Sequence, residues 1–217
     1  MNPITQIGES IPDALGNKIV TSQESVTGGT LYITSIINRE GSVAVTQDFV
    51  PTSIAGSQRF LALTNAKSAA GVSVTATPGG GVVGIARTAG TSLQLAGETT
   101  SASAVTDTAF FEFNIPDSYI AGSNIPLTVN AVVTGAGTLT AASTTITASA
   151  YTETNGVEAA LTVSAAQQFG LVAADLIFTI TGTNLIPGQH IGLQLAMLVT
   201  SSAGANTGYI NSVSYQA

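Results

Sequence analysis

Apolar and polar side chains alternate on both sides of a proline corner in residues 109–133, AFFEFNIPDSYIAGSNIPLTVNAVV, and this stretch restricts the fold more than any other. Phe111 and Phe113 alternate with Glu112 and Asn114, the period of two that marks a strand with one buried face. Ile115, Pro116 and Asp117 stop that strand, because proline lacks the N–H a ladder needs and restricts the residue before it. Gly122, Ser123 and Asn124 supply a turn. Leu127, Val129, Ala131 and Val133 then alternate with Thr128, Asn130 and Val132. The unit is strand, corner, strand.

The same grammar runs through the rest of the chain. Candidate strands are residues 60–64, 72–76, 82–87, 91–98, 139–151, 175–181 and 208–215, with Leu161 and Val163 in another and Ile191, Leu193, Leu195 and Met197 on one face of a further one. Between them lie turn signals: 65–71, Pro78 with Gly79, Gly80 and Gly81, a small-residue loop at 99–106, Asn155-Gly156, and 184–188 with its Pro-Gly pair. Asn155-Gly156 is the strongest hairpin signal. Residues 167–174 read as a helical turn, and nothing else reads as helix. Eight to ten strands after residue 58 suit an all-β, two-sheet antiparallel sandwich of the jelly-roll kind. An immunoglobulin-like sandwich is the alternative, without its usual Cys and Trp landmarks. No fixed repeat period supports a β-solenoid.

Residues 1–57 differ. They hold five of the twelve acids and several turn elements. Residues 31–37 and 43–50 are expected as a hairpin with a polar tip at Arg39, Glu40 and Gly41. Upstream of it the pattern predicts an extended N-terminal arm, which would dock on something else. The domain reading is 1–57 for arm and hairpin, and 58–217 for the sandwich.

Charge narrows function. Asp, Glu, Lys and Arg make up 8% of the chain, against roughly 25% in ordinary soluble domains. Residues 118–152 and 176–217 have no formally charged side chain at all. Well-spread charge keeps soluble monomers apart, so this neutrality favours a chain packed against neighbours, a secreted Thr/Ser-rich β domain being the other reading. The net charge is −7, and Lys18, Arg39, Arg59, Lys67 and Arg87 are scattered. That argues against nucleic acid. Mean hydropathy is +0.40, yet no run of ~18 residues is continuously apolar. Aromatics are too few and irregular for the girdles of an outer-membrane barrel, and the first residues lack the regions of a secretory signal. No membrane partner is expected. With no cysteine, disulfides and thiolate chemistry are out.

Catalytic patterns are weak. His190 is the one histidine, it begins an apolar strand, and no carboxylate lies near it in sequence. A solvent-facing or interface position suits it better than a catalytic base. Asp107 and Glu112 are five apart along a strand and so fall on opposite faces. Glu153 and Glu158 flank the Asn155-Gly156 turn, where solvated loop acids are the better account than a glycosidase pair. Asp117 and Asn124 share a loop with oxygen ligands for calcium, but without an EF-hand pattern. Gly79, Gly80 and Gly81 form a turn, not a phosphate loop. No catalytic residue, cofactor or metal is expected, and the chain is not expected to be an enzyme.

Two segments, FFEFNIPDSYIAGSNIPLTVNAVV and DLIFTITGTNLIPGQHIGLQLAMLV, resemble the jelly-roll structural proteins of tailed bacteriophages, in particular capsid cement or decoration proteins. The shared features are an aromatic strand ending in Ile-Pro-Asp-x-Tyr and a late strand pair joined by a Leu-x-Pro-Gly turn, within residues 106–203. The resemblance implies a non-enzymatic protein on the outer capsid surface of a virion, often a trimer, clamping the major capsid protein. Tyr119, Ile120, Asn124 and His190 are the residues expected at such an interface. Tyr119 is read as a core anchor by default and as an interface anchor in the sharper version. Strand-corner-strand patterns also occur in sugar-binding sandwiches, so a carbohydrate-binding or adhesin module of a fibre is a second class, and a jelly-roll shell subunit a third.

Overall fold

The structure is a computed structural model, and it describes residues 5–9, 18–26, 29–37, 43–51, 58–87, 93–154 and 157–217. The chain divides into two compact units, Met1–Ala55 and Gly56–Ala217.

The first unit contains β1 (Thr5–Glu9), β2 (Lys18–Val26), β3 (Gly29–Ile37) and β4 (Val43–Pro51), antiparallel and in sheet order β1-β2-β3-β4. The expected hairpin is β3 with β4, Ile37 opposite Val43; its tip lies outside the described residues. The segment before it is not an extended arm. β2 pairs with β3 along its whole length, from Lys18 opposite Ile37 to Val26 opposite Gly29, and β1 pairs with β2. KIVTSQESV has no clean alternation to announce a strand. Thr, Ser and Gln settle into a ladder when a neighbouring strand supplies it, which is the context dependence of β-propensity.

The second unit is a two-sheet antiparallel sandwich. Its strands are β5 (Gln58–Leu61), β6 (Gly84–Arg87), β7 (Leu93–Ala96), β8 (Thr100–Ser101), β9 (Ala104–Asn114), β10 (Ile125–Gly135), β11 (Thr138–Leu139), β12 (Thr145–Thr154), β13 (Val157–Leu161), β14 (Gln167–Gln168), β15 (Ala174–Ile180), β16 (His190–Ala203) and β17 (Ala205–Gln216). One sheet runs β15-β10-β17, and the far edge of β17 pairs in turn with β5, β7 and β8, β7 carrying β6. The other runs β9-β16-β12, with β13 and β14 beyond β12 and β11 at the end of β16. Going from β9 to β10, β12, β15, β16 and β17, the chain changes sheet at each of those steps, in the manner of a jelly roll.

The alternation in the sequence becomes the core. Ile125, Leu127, Val129, Ala131 and Val133 of β10 face Ile191, Leu193, Leu195, Met197 and Val199 of β16 as parts of one buried cluster. Phe113 of β9 stacks on Tyr215 of β17 with ring centroids 4.1 Å apart, joining the two sheets. Other expectations shift. Residues 72–76 are not a strand: Gly71 takes a φ of +73° and Val74 N–H donates back to Ala66, folding the segment into a loop. Residues 99–106, expected as a loop, contribute β8 and the start of β9. No helical turn forms at 167–174, where β14 pairs with β12 instead. β12 and β13 form the expected hairpin with Thr154 opposite Val157; Asn155 and Gly156 lie outside the described residues.

Candidate functional site

Tyr119 and Asn124 hold the corner between β9 and β10 together. The ring of Tyr119 is buried, 5% exposed, and its hydroxyl donates to the carbonyl of Ser123. Burial pushes its phenol pKa up. Asn124 Oδ1 accepts from the Gly182 N–H at 3.1 Å. Gly182 permits this approach: a Cβ there would lie 1.6 Å from the Ser123 carbonyl oxygen and 2.6 Å from the tyrosine hydroxyl. A second bond, Gly122 N–H to Leu185 C=O at 3.0 Å, ties the corner to the turn that precedes β16. Tyr119 is therefore a core anchor with almost no surface for a partner. Ile120 beside it is half-exposed at 50%, and it alone of the corner's three candidates offers apolar surface.

His190 stands apart from them in role. Antiparallel pairing of β16 with β9 sets His190 opposite Asn114 and Gly192 opposite Glu112. Its Nδ1 lies 2.9 Å from Asn114 Oδ1 and its Nε2 lies 4.0 Å from Glu112 Oε2, both side chains being well exposed. The carboxylate missing from the histidine's sequence neighbourhood is thus supplied by the sheet register. Seventy-odd residues of separation hid that pair; only the correct pairing of the two aromatic and aliphatic strands would have revealed it.

The same register builds a groove on the outer face of this sheet. Glu112 of β9, Gly192 of β16 and Tyr151 of β12 lie in one row, because Gly192 is opposite both. A Cβ at Gly192 would meet no atom within 4 Å, so the middle of the row is open. Phe110 and Gln194 form the next row. With Glu158 and His190 they line a shallow groove of about 200 Å3. A second depression shares Phe110, Glu112 and Glu158 and continues to Asn65, Lys67 and Ser68. None of Tyr151, Phe110 or Gln194 stood out in the sequence, since half-exposed aromatics within strands look like core.

On the outer face of the opposite sheet a ladder of polar side chains crosses four strands. Gln94 Nε2 donates to Asn211 Oδ1 (2.6 Å), Asn211 Nδ2 to Asn130 Oδ1 (2.7 Å), and Asn130 Nδ2 to Asp175 Oδ1 (2.7 Å). A bulge in β17 makes room: Ser212 pairs with Asn130 and Ile210 with Ala131, leaving Asn211 as the extra residue.

The remaining expectations are quickly placed. Asp107 and Glu112 do fall on opposite faces: Asp107 is 2% exposed inside the sandwich, and Glu112 is outside. Asp107 Oδ2 accepts the Glu98 N–H at 2.7 Å, while Oδ1 has no partner. Burial pushes its carboxyl pKa up, the bond from Glu98 N–H opposes this, and the Glu98 carboxylate adds to the rise. Glu153 and Glu158 are opposite each other in register. Asn124's oxygen is already used by Gly182, and among the described residues no cluster of His, Cys, Asp or Glu could hold a metal ion. Gly79 and Val82 exchange backbone bonds around Gly80 and Gly81, a tight turn.

Neither a protein-family model nor a curated protein sequence matches the chain. Among solved structures it is similar to one from a study of the promiscuous specificity of carbohydrate-binding modules of the β-sandwich superfamily. That likeness has 12% identity and a TM-score of 0.44, and covers 100% of this chain and 86% of the other. Similarity at this level assigns neither ligand nor partner.

Proposed function

We propose that the chain is a non-enzymatic structural protein of a virion, a decoration protein that sits on the outer capsid surface as a trimer and braces the major capsid protein. The observation that carries this reading is the uncharged make-up of the sandwich's long strands. β10, β16 and β17 contain no Asp, Glu, Lys or Arg. Their outward positions present Thr128, Asn130, Val132, Ala196, Leu198 and Tyr209, among others of the same kind. Burying a charge against another subunit costs several kcal/mol unless it is paired. Neutral polar groups that are already bonded to each other cost far less, and the Gln94–Asn211–Asn130 run has that character, with Asp175 as the one carboxylate at its end.

The non-enzymatic part of the reading draws on the surroundings of the one histidine. Among the described residues His190 meets the Asn114 amide and the Glu112 carboxylate, and no hydroxyl nucleophile bonds to it. The test is direct: light scattering on the purified chain, then cryo-electron microscopy of virions that contain it. A trimer in solution and density on the outer shell, in fixed ratio to the major capsid protein, are expected. A monomer absent from purified particles overturns the reading.

A further inference from the structure

The groove over Gly192 lies outside the capsid reading, and the geometry points to a binding site there for a neutral oligosaccharide. Glu112, Gly192 and Tyr151 occupy neighbouring strands in one row. Strands are about 4.8 Å apart, so the two outer residues stand on backbones about 10 Å apart. Between them lies bare backbone, because Gly192 has no side chain and open space above it. Tyr151 walls one side, and Phe110 of the next row lies diagonally across; both rings are partly exposed.

This set meets both demands of a sugar. The C–H face of a pyranose is apolar and packs on an aromatic ring, which offers a large rigid surface. Its hydroxyls both donate and accept. Carboxylates accept, amides do both, and the phenol and imidazole also do both; Glu112, Glu158, Gln194, Tyr151 and His190 supply these groups around one groove. The second depression shares Phe110, Glu112 and Glu158 and runs on to the loop at 64–73. The combined length suits several linked rings better than one.

Other occupants fit worse. A peptide strand would need a run of free ladder groups, and on the outer edge of β9 those of Phe110 and Thr108 are spent: Phe110 exchanges both backbone bonds with Lys67, Thr108 N–H donates to Gly81, and Thr108 C=O accepts from Val83. Anionic polymers face Glu112 and Glu158, with Lys67 the one cation lining the groove among the described residues. A helix would need a continuous apolar channel, and carboxylates interrupt it.

Calorimetric titration of the full chain with cellohexaose, laminarihexaose and maltohexaose, beside polygalacturonate, tests the site. At least one neutral hexasaccharide is expected to bind with a millimolar or lower Kd. Tyr151→Ala, which removes the platform, and Gly192→Val, which fills the gap, should each weaken it by about tenfold or more, some 1.4 kcal/mol. Valine suits a strand and its Cβ would meet no atom within 4 Å at this position, so an unchanged Tm in Gly192→Val separates loss of the site from loss of the fold. Silence with all three neutral sugars overturns the proposal. So does binding that neither variant weakens, or polygalacturonate bound as tightly as the best neutral sugar.

Discussion

Asp107 is the side chain most at odds with its surroundings. It occupies an inward position on β9 that the alternation reserves for apolar groups, and one carboxylate oxygen has no hydrogen bond. Its folded pKa is raised above the ordinary carboxylate value, first by burial. A proton therefore binds the folded state more tightly than the unfolded one. The stabilisation this gives is complete below the unfolded pKa and is lost as pH rises through the raised folded value. Once ionised, the carboxylate is a standing cost. Asp107→Asn keeps an acceptor for the Glu98 N–H and removes both the buried charge and its repulsion with Glu98. It should raise Tm at pH 7 by about 2–4 °C and flatten the fall in stability above the usual carboxylate range. Thermal melts of both proteins from pH 4 to 8 check this; an equal or lower Tm for the variant at pH 7 contradicts it. At this scale the sequence was a good guide to which face each residue takes, Asp107 and Glu112 included. It was a poor guide to partners: the bond between His190 and Asn114 and the approach of Glu112 to His190 depend on register, which no local pattern encodes.

Among the elements, long strands were legible and short ones were not. β9, β10, β15 and β16 carry alternation over seven to fourteen residues, so the buried face identifies itself. β8, β11 and β14 are two residues each; they exist because a neighbour's edge needs partners, and two residues are too few to show a period. β1 and β2 are longer but went unseen because their residues do not alternate cleanly. Conversely, residues 72–76 alternate well and still form a loop, since Gly71 turns the chain first. The amide ladder is a property of elements too. Asn130 is its centre, donating to Asp175 and accepting from Asn211. Asn130→Ala should cost about 1 kcal/mol, as exposed side-chain bonds are worth little each. Urea unfolding of Asn130→Ala, Asn211→Ala and the double variant should show coupling of about 0.5 kcal/mol or more. Strict additivity would mean that the rungs act separately.

Across the whole molecule, alternation foretold an all-β chain and composition one with little charge to spread, and that is what folds. Neither foretold that β1 to β4 form a four-stranded sheet of their own, because neither says which strands find each other. The order of assembly follows from where the last strands sit. β17 (Ala205–Gln216) is the inner strand of its sheet, bonded on one side to β10 and on the other to β5, β7 and β8; β16 is inner in the other sheet, between β9 and β12. On a ribosome, then, the strands from β5 to β15 emerge as separate pairs such as β10–β15, β12–β13 and β6–β7, before the two strands that join them into sheets. The sandwich cannot close until residue 216 is clear of the exit tunnel, and until that moment its apolar faces need a chaperone or speed. A chain ending at Ala203 should be recovered unfolded and protease-sensitive throughout residues 58–203, as judged by limited proteolysis and mass spectrometry. The synthesis of β17 therefore sets how long the unpaired edges of β10, β5, β7 and β8 stay exposed to other unfinished chains.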